Sequence, residues 1–159
     1  MSEFRILPIV PSNAQISCPK SLYVLSFYFN VHDPEFSSIN QVISSDPGKY
    51  TSLSYVKAPL YDQETNVLIG YKTTTDTLQQ VEKNLYDITN YSTYQILGQG
   101  TISWNGFYEN TIPSNIYPLG TKLESNIVST SGVFLGRQGT VQLQVLPSGQ
   151  RNVTIKCSI

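Results

Sequence analysis

Apolar and polar positions alternate with a period of two along most of the chain. From Leu22 to Val31 one alternate set is wholly apolar: Tyr23, Leu25, Phe27, Phe29 and Val31. The intervening set, Leu22, Val24, Ser26, Tyr28 and Asn30, turns polar toward its end. Such a period belongs to a β-strand with two distinct faces. It predicts a strand covered on its apolar side and lining a chamber with its mixed side. His32-Asp33-Pro34 stops the strand. Further strand-like runs follow at 38–44, 51–57, 66–75, 91–97, 100–105, 122–130, 138–146 and 151–157. Asp46-Pro47-Gly48, Asp62-Gln63-Glu64 and scattered glycines punctuate them as turns. Leu78 to Asp87 has a trace of helical spacing (Leu78, Val81, Leu85) but is short and uncapped, and reads as a turn or distorted hairpin. The last two runs alternate cleanly around Pro147-Ser148-Gly149-Gln150, which predicts a C-terminal hairpin.

Short strands without a long helix mean a sandwich or a closed barrel. Residues 1–20, with three prolines and no periodicity, read as an extended arm, and 21–159 as a single domain. The 159 residues carry 10 Lys plus Arg against 11 Asp plus Glu, for a net charge of −1. That balance argues against a nucleic-acid partner, whose phosphates call for clustered cations. Charged residues are only 13% of the chain, about half the usual quarter. Ser, Thr, Asn and Gln supply the polarity instead, 55 residues in all, alongside 11 Tyr. No run approaches the roughly 18 apolar residues of a membrane-spanning helix. The apolar patch from Ile6 to Val10 is interrupted by Pro8 and preceded by Glu3, which makes a poor signal peptide. The chain reads as non-secreted, or as exported and numbered without its leader, so the compartment stays open.

Three segments, in order, resemble the allene oxide cyclase and dirigent barrel superfamily. Phe27-Tyr-Phe-Asn-Val-His-Asp33 resembles the dirigent opening strand that ends in His-Asp. Tyr91 to Tyr108, with Gly98-Gln-Gly-Thr-Ile-Ser103 and then Gly106, is similar to the cyclase hairpin. Ser129 to Leu143 resembles the Gly-rich turn and following strand, here Gly132-Val-Phe134 and Gly136. The resemblance implies an eight-stranded antiparallel up-and-down β-barrel with a central cavity, commonly a trimer. Departures from the family pattern bear on function. In the cyclases a catalytic Glu stands two residues before a cavity Asn; Asn30 matches the Asn, but Tyr28 occupies the Glu position. In dirigent proteins an Arg follows the Phe of the Gly-rich turn; here Leu135 does, with Arg137 two residues on, and Ser129-Thr130 replaces a double glycine. Asp33 matches the dirigent cavity-rim Asp. The scaffold carries over better than either active site.

One histidine and two distant cysteines make no typical zinc site. No nucleophile elbow, phosphate loop or dinucleotide fingerprint is present, so neither a metal nor a cofactor is expected. His32 and Asp33 are sequence neighbours that point to opposite faces of a strand, and His32 reads as a solvated loop residue. In a closed barrel the first and last strands adjoin, which brings Cys18 and Cys157 within reach of a disulfide. An oxidising compartment closes that bridge and a reducing one leaves two thiols; with no leader in view, thiols are the expectation and the bridge the alternative. If the mixed face of the first strand is inward, Ser26, Tyr28, Asn30 and Tyr94, with Asp33 at the rim, line the ligand cavity. Hydroxyls and amides there suit a lipophilic or phenolic small molecule, and Tyr28 and Asn30 are the catalytic candidates. Phe27 and Phe29 then face outward and need cover from the arm or another subunit, which predicts a homo-oligomer, a trimer by the resemblance. The leading functional expectation is a non-catalytic ligand-binding or structural self-assembling barrel. The alternatives are a cofactor-free isomerase that cyclises a lipid epoxide, a dirigent-type stereoselective coupling auxiliary, or a particle-surface or capsid-associated β-protein.

Overall fold

Each alternating run becomes a strand in the computed structural model, which describes residues 23–158; the predicted arm lies outside them. The strands are β1 (Tyr23–Asn30), β2 (Ser37–Ser44), β3 (Thr51–Asp62), β4 (Leu68–Glu82), β5 (Leu85–Ile96), β6 (Gly100–Asn110), β7 (Lys122–Thr130), β8 (Gln138–Val145) and β9 (Gln150–Ser158). A single 3-10 turn, Gly132–Phe134, interrupts the series. Neighbours run β1-β9-β8-β7-β6-β5-β4-β3, and β1 pairs again with β3 to close an eight-stranded antiparallel up-and-down barrel. β2 is an additional ninth strand, attached to β3 alone. The ambiguous segment 78–87 is the tip of a long β4–β5 hairpin. Asn84 takes the left-handed conformation (φ 62°) at its turn, and a bulge lies between Gln80 and Glu82. The C-terminal β8–β9 hairpin forms as expected.

Closure depends on a division of labour along β3. Its first half pairs with β2, from Thr51 to Lys57, and its end pairs with β1 through Phe27–Asp62 and Tyr28–Tyr61. Pro59, which has no backbone N–H to give, falls in the gap where one neighbour replaces the other. Outside the barrel, Tyr28 stacks on Tyr61 with ring centroids 5.5 Å apart. The Tyr61 hydroxyl donates to Asp33 Oδ2 at 3.0 Å, and the Tyr28 hydroxyl donates to Asn66 Oδ1 at 3.1 Å. Desolvation and this bond to Asp33 push the Tyr61 phenol up to about 12. These four side chains clasp the seam.

The two faces of β1 are therefore the reverse of the expectation. Phe27 and Phe29 are 1% and 2% exposed inside the barrel, whereas Ser26, Tyr28 and Asn30 belong to the outward set. A narrow barrel is filled by its own side chains, and burying two phenylalanines contributes roughly 1.5–3 kcal/mol each. No cavity lined by Tyr28 and Asn30 can compete with that. Phe27 meets Tyr94 edge-on at 5.0 Å, and Tyr94 stacks on Trp104 at 6.4 Å. Leu60, Ile88, Ile102, Val153 and Ile155 pack in the same core.

The two glycine-rich motifs lie back to back at the β1 start of the barrel. A Cβ on Gly132 (φ +64°) would lie 2.1 Å from the Gln99 carbonyl oxygen, and one on Gly100 (φ +144°) 2.2 Å from that of Ser131. Only glycine permits this approach and these φ values together. Thr101 and Ser131 bind each other through backbone and hydroxyls, with Oγ atoms 2.7 Å apart, and Phe134 seals the core beneath them. The orientation of β1 is checked by denaturant unfolding. Phe27→Ala should lose about 3–5 kcal/mol, and Tyr28→Ala, which gives up an outer contact and one hydrogen bond, about 1 kcal/mol. Equal losses would return Tyr28 to the interior.

Candidate functional site

Toward the Asn30 end of β1 the inner wall changes character. Inward positions on β3 are Ser52, Ser54 and Val56; on β4 they are Lys72, Thr74 and Asp76; on β9 the first is Arg151. All of these but Thr74 border a cavity of about 440 Å³, completed by Phe29, by Ser38 and Asn40 of β2, and by the 113–117 segment of the β6–β7 connection. Here β2 has its structural use. It extends the wall beyond the barrel proper, and Asn40 accepts a hydrogen bond from the Ser54 hydroxyl.

The β6–β7 connection is tied down residue by residue. Asn110 Nδ2 donates to the carbonyls of Ser114 and Ile116, both at 3.1 Å, and the Tyr108 hydroxyl donates to that of Asn115. Asn115 Nδ2 in turn donates to Asp76 Oδ2 at 3.0 Å. Tyr117 is driven inward, where its hydroxyl accepts from Asn90 Nδ2. Burial raises the phenols of Tyr108 and Tyr117, both further disfavoured as phenolates by the Asp76 charge, so they remain neutral.

A buried lysine, aspartate and arginine share this cavity. Lys72, Asp76 and Arg151 are 2%, 4% and 4% exposed. The Lys72 ammonium lies 4.3 Å from the centroid of the Phe29 ring. Among the described residues it has no hydrogen bond and no ion pair. Burial pushes its ionisation down to about 8; Asp76 opposes that shift and Arg151 reinforces it. Burial pushes Asp76 up, against the Asn115 hydrogen bond and the Lys72 charge. Arg151 sits opposite Phe29 in the β1–β9 register. Its Nε is buried without a partner, and although burial weakens its basicity, a guanidinium stays charged. The cavity therefore holds two unpaired cations and one hydrogen-bonded carboxyl group within a partly aromatic wall.

None of the five residues expected to line the cavity does so. Ser26 and Tyr28 face outward at the seam. Asn30 turns its Oδ1 to the His32 backbone N–H at 2.9 Å, and Asp33 serves the clasp. Tyr94 is inward, but its hydroxyl lies unpartnered in the apolar core beyond the cavity. His32 is exposed yet borders the cavity. Arg137 stacks 4.6 Å over Tyr23, at the other end of β1. Cys157 is a free, buried thiol whose ionisation burial pushes up, and its suggested partner Cys18 lies outside the described residues. Among the described residues no three His, Cys, Asp or Glu side chains gather in one group. The overlooked trio did have a signal: period two puts Lys72, Thr74 and Asp76 on one face, and Arg151 on the face of Val153 and Ile155.

By sequence, no protein-family model matches the chain, and no curated protein matches it either. Solved structures do match in shape. Pyocyanin demethylase superposes with a TM-score of 0.61 at 10% identity, over 85% of this chain and 99% of that one. Two pterocarpan synthase dirigent proteins, both 18% identical over 87% of this chain, give TM-scores of 0.56 and 0.53 and are themselves covered to 89% and 94%. With β1 joined to both β9 and β3, the chain has the closed eight-stranded barrel fold of these dirigent structures.

Proposed function

We propose that this barrel is a ligand-binding protein that receives an amphipathic small molecule with an aromatic or lipophilic body and one anionic group. The observation that carries this reading is the pair of buried, unpaired cations, Lys72 and Arg151, on one cavity. Burying a charge without a counter-charge costs several kcal/mol, so a fold keeps such groups chiefly where a site uses them. The volume, about 440 Å³, lies within the range of small-molecule sites, roughly 300–1,000 Å³. Phe29, Phe36 and Tyr50 offer the apolar wall. The named structural neighbours work on small organic molecules, which agrees with this class of ligand. A charged cavity replaces the uncharged one expected from sequence, and the ligand changes accordingly from neutral to anionic.

Fluorescence titration with 8-anilinonaphthalene-1-sulfonate tests the reading. Binding should be saturable and weaken about tenfold or more, some 1.4 kcal/mol, in Arg151→Met and in Lys72→Met. Tyr28→Phe and Asn30→Ala should bind as the parent does, and near-UV circular dichroism verifies folding. Equal binding by all four variants would sink the assignment. The site also leaves a mark on stability. Lys72 titrates at about 8 when folded against 10.5 when unfolded, so between those values the unfolded chain binds more protons. The penalty Lys72 imposes is full below about 8 and fades toward 10.5. Urea unfolding of the parent and Lys72→Met should show parent stability rising relative to the variant across that window, by on the order of 3 kcal/mol. The difference between the two chains cancels the tyrosines; a flat difference contradicts the buried ammonium.

A second reading, self-assembly, rests on the outer wall and no longer on Phe27 and Phe29. Two cross-strand rows there carry no charge: Ile39, Tyr55, Thr75, Tyr91 and Asn105, and beside them Gln41, Leu53, Thr77, Thr89 and Phe107. Phe107 is 56% exposed. Lys57 borders the belt on one side, Asp87 and Glu109 on the other, an apolar centre with a charged rim. Multi-angle light scattering at micromolar concentration should report more than a monomer, and Phe107→Asp should reduce it. A monomer throughout removes this reading and leaves the cavity untouched.

A further inference from the structure

We infer that Lys72 is a nucleophilic amine that captures a carbonyl-bearing ligand as a reversible Schiff base, while Arg151 holds that ligand's anionic group. The inference rests on the cavity being a ligand site and names the chemistry within it. The two cations of the cavity differ in kind. A guanidinium cannot release its proton and grips a carboxylate or sulfonate through its forked N–H groups; an ammonium can become a neutral amine. Lys72 meets the conditions for that change. It lies against the Phe29 ring, 98% shielded from solvent, with no carboxylate in ion-pair contact to hold its proton. The other described lysines, Lys49, Lys57, Lys83, Lys122 and Lys156, are all exposed.

Arg151 and Lys72 are related through one residue. Phe29 is the register partner of Arg151 on β9, and the Lys72 amine rests on its ring. An aromatic or lipophilic body lying along Phe29 thus presents one end to each cation. The Lys72 Nζ lone pair attacks the carbonyl carbon, and the C=O π pair moves onto oxygen, which takes up a proton to give a carbinolamine. Nitrogen then loses a proton, the hydroxyl departs as water with a second proton, and the nitrogen pair forms C=N. The product is the protonated imine, and loss of the second nitrogen proton makes the sum amine plus aldehyde or ketone going to imine plus water, with no oxidant or reductant. Asp76, two inward positions along β4 from Lys72, faces the same cavity and is the carboxyl group placed to exchange these protons.

The full chain is incubated with 4-carboxybenzaldehyde and sodium cyanoborohydride, and the reduced adduct is located by peptide mass mapping. Lys72 should be labelled at least tenfold faster than any exposed lysine. Its rate should reach half-maximum near pH 8, where exposed lysines await values of about 10.4. Arg151→Met should slow labelling at Lys72 about tenfold, and benzaldehyde, which lacks the anionic group, should lose the selectivity in the parent. Lys72→Arg should remove the fast site; if that variant does not fold, the parent's map and pH profile decide. Labelling spread evenly over the exposed lysines overturns the inference. Retained binding of 8-anilinonaphthalene-1-sulfonate in that event preserves the ligand-binding reading, and loss of both ends both.

Discussion

The structure turns on how a narrow sheet closes on itself. Only two residue pairs, Phe27–Asp62 and Tyr28–Tyr61, join β1 to β3, against eight pairs between β1 and β9. So short a ladder needs help from both sides. Phe27 anchors it from within through Tyr94, and the Tyr28–Tyr61 stack with its bonds to Asn66 and Asp33 anchors it from without. The same closure delivers Phe29 to the cavity edge and sets Arg151 opposite it. It also frees the first half of β3 to recruit β2, whose Asn40 and Ser38 become cavity wall. Seam and site are thus parts of one arrangement.

Strand positions were legible because period-two alternation and glycine spacing are local signals, whereas closure into a barrel, which alternation shares with a sandwich, was implied only by the resemblance. The glycine motifs proved informative for a physical reason: the Gln99–Gly100 and Ser131–Gly132 backbones touch, so neither turn can change alone. The inside of β1 was not legible in the same way. The mixed pattern of that face was read as a chamber lining, and the resemblance of Tyr28 and Asn30 to family cavity positions turned them the same way. The sizes of Phe27 and Phe29, weighed against the volume of an eight-stranded barrel, point to the opposite face. Tyr28 and Asp33 have duties after all, at the outer seam, where an aromatic stack and a phenol–carboxylate bond do mechanical work.

Lys72 and Arg151 show why charges at inward positions deserve more weight than neutral polar residues on a mixed face. A hydroxyl or amide facing a chamber costs little whichever way it points. A cation among Val, Ile and Phe side chains is expensive, and its presence at an inward position is information about what the chamber meets. Arg151 begins the face that continues through Val153, Ile155 and Cys157, and Lys72 shares its face with Thr74, Asp76 and Leu78. Both are visible in the alternation once the barrel is taken as filled.

The two ends of the barrel differ in what their side chains do. At the Tyr23 end the glycine turns, Phe134 and the Arg137–Tyr23 stack close the core with groups that serve packing. The 3-10 turn at Gly132–Phe134 leaves Leu135 exposed, so Leu135 supplies no charge to the interior, and Arg137 comes inward far from the cavity. At the Asn30 end the wall is polar, the β6–β7 connection is bound through side chains, and the charged groups come from strands β4 and β9. Packing constraints act on every member of a fold and preserve the first end. The second end carries its charges on β4 and β9, away from the pairs that close the barrel. A barrel whose one end is fixed by packing can thus carry a different set of side chains at its other end.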